Sequence, residues 1–475
     1  MFGRRSGYFA LVLSLVGFGL NACGNPEMAG DLAGTTGSGS GGSSKYDGEA
    51  MESFDAPPAE GGSDESAAAE PMMSESAGGD TEGAVEAPEL IEEEEVEEQV
   101  VLQAGQLTAG EWDDNLNFER YQQYISDYLQ SMPDMPTIPS GDRVIVRVVD
   151  AEGTPVSNAN VTISSGDETL LNAPTASDGR VLFLPGHDGA DAEDTLSIEI
   201  ESELGAGTLS ADFVVEDGVA TFVLEDVAAE LPDALDLAFV VDATGSMGDE
   251  LEYLKAEIDY IAQSIEADHP NLPMRFALVV YRDIGDKYVT KTADFTSDLD
   301  DFRATLEKQS ANGGGDYPEA MDKALADMNA LSWNDGNTAR VAFLVADAPP
   351  HRKDAGDFLK EVDSSRRQGI KLYTVAASGV ADEAEYLMRV ASQATLARYL
   401  FLTDDSGIGN AHAEPHIPCY HVQLLSDLTV RMVLSELSGA YVAPESDSIV
   451  RTVGTVQDGV CTLADDSPAY LWLSE

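Results

Sequence analysis

The sequence predicts an α/β protein: a doubly wound, mostly parallel sheet, preceded by a small β-sandwich and by an acidic linker expected to stay disordered. Three observations carry that prediction. Across residues 233–440, apolar runs ("LDLAFVVD", "MRFALVVYRD", "ARVAFLVADA", "IKLYTVAAS", "RYLFLT") alternate with amphipathic helical patterns, the rhythm of a sheet covered on both faces by helices. Residues 141–230 switch to short alternating runs such as "RVIVRVVD" and "TLSIEIES", broken by "AEGTP", "SDGR" and "EDG" turns, the spacing of a sandwich. Residues 23–105 lose both patterns. "GTTGSGSGGSS" and a Glu-rich run carry almost no aromatic side chain, too little apolar surface to offset the entropy of ordering.

At the start of the chain, Arg4 and Arg5 precede an apolar run over residues 9–20, shorter than a bilayer-spanning helix needs. The run ends in Leu20-Asn21-Ala22-Cys23, which resembles the lipobox of bacterial lipoproteins. That resemblance implies a signal peptide over residues 1–22, lipidation of Cys23, and a protein anchored in the cell envelope outside the cytoplasm. Gly24 stands where an aspartate would retain such a protein in the inner membrane, so the outer membrane is the expected location. Self-repulsion should extend the linker and hold the folded part away from the lipid.

Residues 106–140 place Phe118, Tyr121, Ile125, Tyr128 and Leu129 at helical spacing, which predicts a helix docked ahead of the next domain. The preceding "AGEWDDN" suggests no chemistry. The sandwich region, with "VVDAEGTPVSNANVTI" and "TASDGRVLFLP", resembles carboxypeptidase-regulatory or transthyretin-like modules, which implies a spacer or binding module. Residues 441–475 read as a β-like extension.

Charge narrows the function. Of 475 residues, 87 are Asp or Glu and 26 are Lys or Arg, a formal net charge of −61. Such a field repels nucleic-acid phosphates and anionic membrane surfaces, and excludes both as direct partners. An acidic partner is reachable only through a metal ion or a local cationic site.

The stretch "LAFVVDATGSMGDELEYLKAEI" ends a buried strand at Asp242 and delivers Thr244 and Ser246 to the turn where a helix begins. Together with "YRD", "GGGDYPEA" and "LVADAPPH" at later strand ends, it resembles the metal-ion-dependent adhesion site of von Willebrand factor type A domains. The resemblance covers the whole α/β segment. It implies that Asp242, Thr244, Ser246 and Asp347 gather oxygens around one divalent cation, Mg²⁺ or Ca²⁺, and that the ion engages a protein partner. A hard divalent ion takes about six oxygens, and hydroxyls leave it electron-poor at an open position. Asp316 stands where the family usually has threonine; a further carboxylate favours tighter retention and Ca²⁺ over Mg²⁺. Asp316 also fits a helix-capping box with Glu319, Pro318 lying in the first turn. The alternative for Ser246 is an N-cap, with Asp249 and Glu250 favouring the helix dipole. Asp283 and Asp286 read as loop carboxylates on the same edge.

A second cluster, "GNAHAEPHIPCYH", brings His412, Glu414, His416, Cys419 and His421 within ten positions, ligand types that suit zinc, though without a recognised zinc spacing. If Cys23 is acylated, Cys419 and Cys461 are the remaining cysteines, and outside the cytoplasm they are expected to pair as a disulfide. No G-x-S-x-G elbow, activated cysteine or phosphate-binding loop is present. The expectation is a membrane-tethered, non-enzymatic binding protein with a cation-dependent protein partner. The alternatives are an envelope protein whose ion only stabilises the fold, and a zinc hydrolase.

Overall fold

The structure, a computed structural model, describes residues 107–473 except 191–194, 203, 205–206, 215–217, 316, 378 and 407–414. Cys23, Asp316, His412 and Glu414 lie outside the described residues.

The first described element departs from expectation. Residues 106–140 form a helix, α1 (Phe118–Ser131), but before it "TAGEW" forms a strand, β1 (Thr108–Trp112). All five residues of β1 are buried, so the run shows no polar–apolar alternation to betray it. Gly110 is required there: a Cβ would press into the rings of Phe401 and Tyr420. Glu111 pairs with Arg398 at 2.6 Å and also with Arg431. Asp114 receives Arg389 at 2.7 Å and the Trp112 indole N–H at 3.0 Å. Burial alone would raise the Glu111 carboxyl, but Arg398 and Arg431 outweigh it and hold it below its ordinary value. The "AGEWDD" run is therefore a strand with its own counter-charges.

The chain then leaves for the sandwich. Its strands are β2 (Val144–Asp150), β3 (Asn160–Ser165), β4 (Glu168–Pro174), β5 (Arg180–Phe183), β6 (Thr195–Ser202), β7 (Gly207–Val214) and β8 (Gly218–Leu224). They pair as a three-stranded sheet, β5-β2-β8, and a four-stranded sheet, β4-β3-β6-β7. Val146, Val148, Val161, Ile163, Val181, Phe183, Ile198 and Ile200 fill the space between them.

The chain returns as β9 (Ala234–Asp242), α3 (Gly248–Asp268), β10 (Met274–Tyr281), β11 (Thr290–Thr296), α4 (Leu299–Leu306) and α5 (Met321–Asn329), with α2 (Pro185–Asp188) being a single turn in the sandwich. β12 (Thr338–Ala346), α6 (Ala355–Arg367), β13 (Lys371–Ala376), α7 (Asp382–Ala394), β14 (Tyr399–Thr403), β15 (Tyr420–Leu424) and α8 (Leu425–Ser438) follow, then the short strands β16 (Arg451–Val453), β17 (Val456–Gln457), β18 (Val460–Thr462) and β19 (Pro468–Tyr470). The large sheet runs β11-β10-β9-β12-β13-β14-β1-β15-β16. Its middle, β10-β9-β12-β13-β14, is parallel; β11 and β1 join antiparallel at either side of it. The expected α/β fold is present, and the sandwich is an excursion between two parts of it.

Strand β9 explains the two-sided cover. Ala238 and Val240 face the core under α5, α6 and α7, while Leu237, Phe239 and Val241 face the core under α3, α4 and α8. A strand buried on both faces needs this continuous apolar run. No helix of the described residues is long and apolar enough to cross a membrane.

Two links tie the parts. Cys419 and Cys461 form the expected disulfide, pinning the small sheet β17-β18-β19 to the body. At the sandwich junction, Lys371 donates to Asp178 at 2.7 Å and Arg366 to Asp188 at 2.6 Å. Burial opposes ionisation of Asp178, but Arg180 and Lys371 hold its carboxyl well below the usual range.

Candidate metal centre

Strands β10 and β12 flank β9 on opposite sides, so the carboxyl end of β9 opens onto the crevice where connections diverge. Asp242 ends β9 there. Its Oδ1 accepts the Thr244 backbone N–H at 2.9 Å and the Thr244 hydroxyl at 2.7 Å. Thr244 Oγ1 lies 3.5 Å from Ser246 Oγ, and Asp347, at the end of the neighbouring strand β12, is close enough to raise the Asp242 carboxyl. The alternation of the turn thus gathers oxygens of Asp242, Thr244 and Ser246, with the Asp347 carboxylate beside them. Asp242, Thr244 and Asp347 are buried; Ser246 is exposed and marks the open side. The capping role for Ser246 is not realised, since α3 begins after it with no side-chain cap.

Backbone contacts hold the neighbouring loops on this line. Asn312 N–H donates to Ala243 O at 3.0 Å, Gly245 N–H to Gly313 O at 3.2 Å, and the Arg282 guanidinium to Ala243 O at 3.0 Å. Gly313 and Gly314 adopt φ of +88° and +72°, which L side chains rarely take. A Cβ on Gly313 would strike the Asp286 carboxylate; one on Gly314 would meet Glu319 Oε1 at 3.0 Å and Thr244 Cβ at 3.3 Å. The glycine run is what lets the third loop lie this close.

The capping box is also corrected. Helix α5 starts at Met321 with Ala320 before it and no side-chain cap, because the Glu319 N–H is committed to Pro349 O at 3.0 Å. Glu319 is instead buried beside the site, a position that sequence reasoning missed by assigning it to the cap. In the sequence the run Gly313-Gly314-Gly315-Asp316-Tyr317-Pro318-Glu319 carries no mark that separates a loop glutamate from a capping one. Asp283 pairs with His351 at 2.6 Å, and Asp286 accepts the Gly314 N–H at 2.9 Å, so both brace the loops.

The electrostatics are those of crowded carboxylates. Burial, then Asp347, pushes Asp242 up to about 7. Burial, then Asp242, Asp283, Asp286 and Asp347, pushes Glu319 up to about 9. Burial also raises Asp347, against the Ser246 hydrogen bond. Asp242 Oδ2 and Glu319 Oε2 are buried without a hydrogen-bond partner. Hard anionic oxygens, two of them orphaned, with hydroxyls beside them, fit a divalent cation. Asp242, Thr244, Ser246 and Asp347 would hold it, and it would supply a Lewis-acidic contact point at the exposed Ser246 side.

The zinc cluster does not assemble among the described residues. Cys419 is in the disulfide, His416 Nδ1 meets Glu385 at 3.0 Å, and His421 Nδ1 meets Thr452 at 2.7 Å. Elsewhere, His187, Asp188 and Asp363 approach one another closely, but Arg366 and Arg367 occupy both carboxylates. That group is an ion-pair clamp.

Fold and site together define an α/β domain with an oxygen-lined crevice at its switch point. Residues 236–409 match the family model of the von Willebrand factor A domain, and the chain carries such a domain. It is 38% identical over 132 residues to an ariadne-like RING finger protein of Acanthamoeba polyphaga mimivirus, covering 27% of this chain and 13% of that protein. It is 27% identical over 146 residues to the alpha-protein kinase vwkA of Dictyostelium discoideum, covering 30% and 23%. It is 33% identical over 151 residues to human von Willebrand factor A domain-containing protein 7, covering 30% and 16%. The matches thus span less than a quarter of these relatives' lengths. Among solved structures, a conserved protein BatB from Bacteroides thetaiotaomicron aligns with TM-score 0.32 at 12% identity, over 43% of this chain and 98% of that one.

Proposed function

We infer that the protein is a non-enzymatic binding protein, anchored in the cell envelope through lipidated Cys23, whose von Willebrand factor A domain holds a divalent cation and engages a protein partner through it. A von Willebrand factor A domain is an interaction module, and residues 236–409 match that family. The observation that carries the cation reading is the gathering of Asp242, Thr244 and Ser246 oxygens at the β9 end beside the buried Asp347 carboxylate, with a buried orphan oxygen on Asp242. Tethering rests on the lipobox-like Leu20-Asn21-Ala22-Cys23, with the outer membrane as the proposed location.

A second reading has its own support. Asp242, Thr244 and Asp347 are buried, which suits an ion that stabilises the fold without meeting a partner. One experiment separates the two. Pull-downs from envelope extract compare wild type and Asp242→Ala, each with and without chelator. Partners lost on both treatments support cation-dependent binding; a partner set indifferent to both leaves only the stabilising ion.

A further inference from the structure

We propose that Glu319 is a further oxygen ligand of the cation site and makes it a Ca²⁺ site in preference to Mg²⁺. This rests on the cation reading above. Glu319 is 3% exposed and Asp242 is 0% exposed, and each carries one carboxylate oxygen with no hydrogen-bond partner. Glu319 Oε1 and the Thr244 side chain both lie within 3.3 Å of the point that a Gly314 Cβ would occupy, so the glycine opens the space between them. The Glu319 backbone is fixed to Pro349, two residues beyond Asp347, which places Glu319 on the loop that leaves the same strand end.

The cationic groups nearby are otherwise engaged. Arg282 donates to the carbonyls of Ala243 and Ser310, and His351 is held by Asp283. The buried Tyr281 hydroxyl lies in the field of Asp242, Asp347 and Glu319 together. Three buried carboxylates around one space, with none of these cations turned toward them, call for a counter-ion from solution. Ca²⁺ takes six to eight oxygens in a flexible shell and accepts several carboxylates. Mg²⁺ demands a strict octahedron and keeps its waters.

Isothermal titration of the full chain with CaCl₂ and with MgCl₂ tests this, using wild type, Glu319→Gln, Glu319→Asp and Asp242→Asn. Wild type should bind one Ca²⁺ more tightly than Mg²⁺. Glu319→Gln should weaken Ca²⁺ by at least about tenfold and narrow the preference over Mg²⁺. Glu319→Asp, which keeps the charge but withdraws the oxygens by one methylene, should weaken it in the same direction. In chelator, Glu319→Gln should melt no lower than wild type, because a neutral amide of the same shape replaces a carboxyl that the unfolded chain would rather ionise; a merely structural Glu319 would lower the midpoint with or without ion. Wild-type Ca²⁺ affinity in either folded Glu319 variant overturns the assignment and leaves the cation reading standing. A wild type that binds neither ion overturns both.

Discussion

Two sets of buried carboxylates in this molecule solve the same problem in opposite ways. Around β1 and at the sandwich junction, Glu111, Asp114, Asp178 and Asp188 meet Arg398, Arg431, Arg389, Lys371 and Arg366. At the end of β9, Asp242, Asp347 and Glu319 meet hydroxyls and one another. In the first set the counter-charge is part of the chain, so folding alone satisfies it. In the second, burial and mutual repulsion hold all three carboxyls above their ordinary values, and on the reading proposed above a bound cation would supply the counter-charge. What faces a buried carboxylate thus decides whether folding stabilises its charge or opposes it.

The comparison is broken most severely in the first set. Glu111→Ala leaves Arg398 and Arg431 buried without their anion, and should cost about 3–5 kcal/mol in chemical denaturation, equally with and without Ca²⁺. Unchanged stability would mean that β1 is not held by this pair.

At the site the effect should depend on the ion. Ca²⁺ at about a hundred times its dissociation constant should add about 2.7 kcal/mol to wild type and little to Asp242→Asn, measured by melting in Ca²⁺ against chelator. pH sharpens the contrast. With Asp242 at about 7 and Glu319 at about 9 in the cation-free fold, the native state keeps protons that the unfolded chain has released. Stability in chelator should therefore fall as pH rises from about 4 through 7 toward 9, and the gain from Ca²⁺ should grow over the same window. A flat profile in chelator would show that these carboxylates are already neutralised from within.

A smaller loss is expected from Lys371→Met. Asp178 keeps Arg180 and loses one charge-assisted bond, so about 2 kcal/mol should disappear regardless of cation. The smallest change is Thr244→Val, which deletes the hydroxyl on Asp242 at similar shape. It should lower thermal stability by about 1 kcal/mol in Ca²⁺.

Much of this was legible beforehand because it is local. The apolar run of β9 ending at Asp242, and the hydroxyls at two-residue spacing after it, need no distant partner to be recognised. The capping box failed for Glu319, and the capping alternative for Ser246 was not realised, because a helix start and a tethered loop share residue types; the Glu319 bond to Pro349 and the later start of α3 decided between them. Strand β1 failed for a related reason: five residues buried on both faces carry no period, and "AGEWDD" makes sense only against Arg389, Arg398 and Arg431, 275 to 320 positions later.

By itself the sequence determined most of the strands and helices, β1 excepted, because burial imposes a period or an unbroken apolar run on neighbouring residues. It also set the acidity and placed the site's first three oxygens in one turn. Tertiary structure alone decided that the chain's first described strand completes a sheet begun much later, that His416 and His421 turn to Glu385 and Thr452, and which carboxylates find a cation within the chain. Those outcomes depend on distances between residues far apart in sequence, and no local pattern encodes a distance.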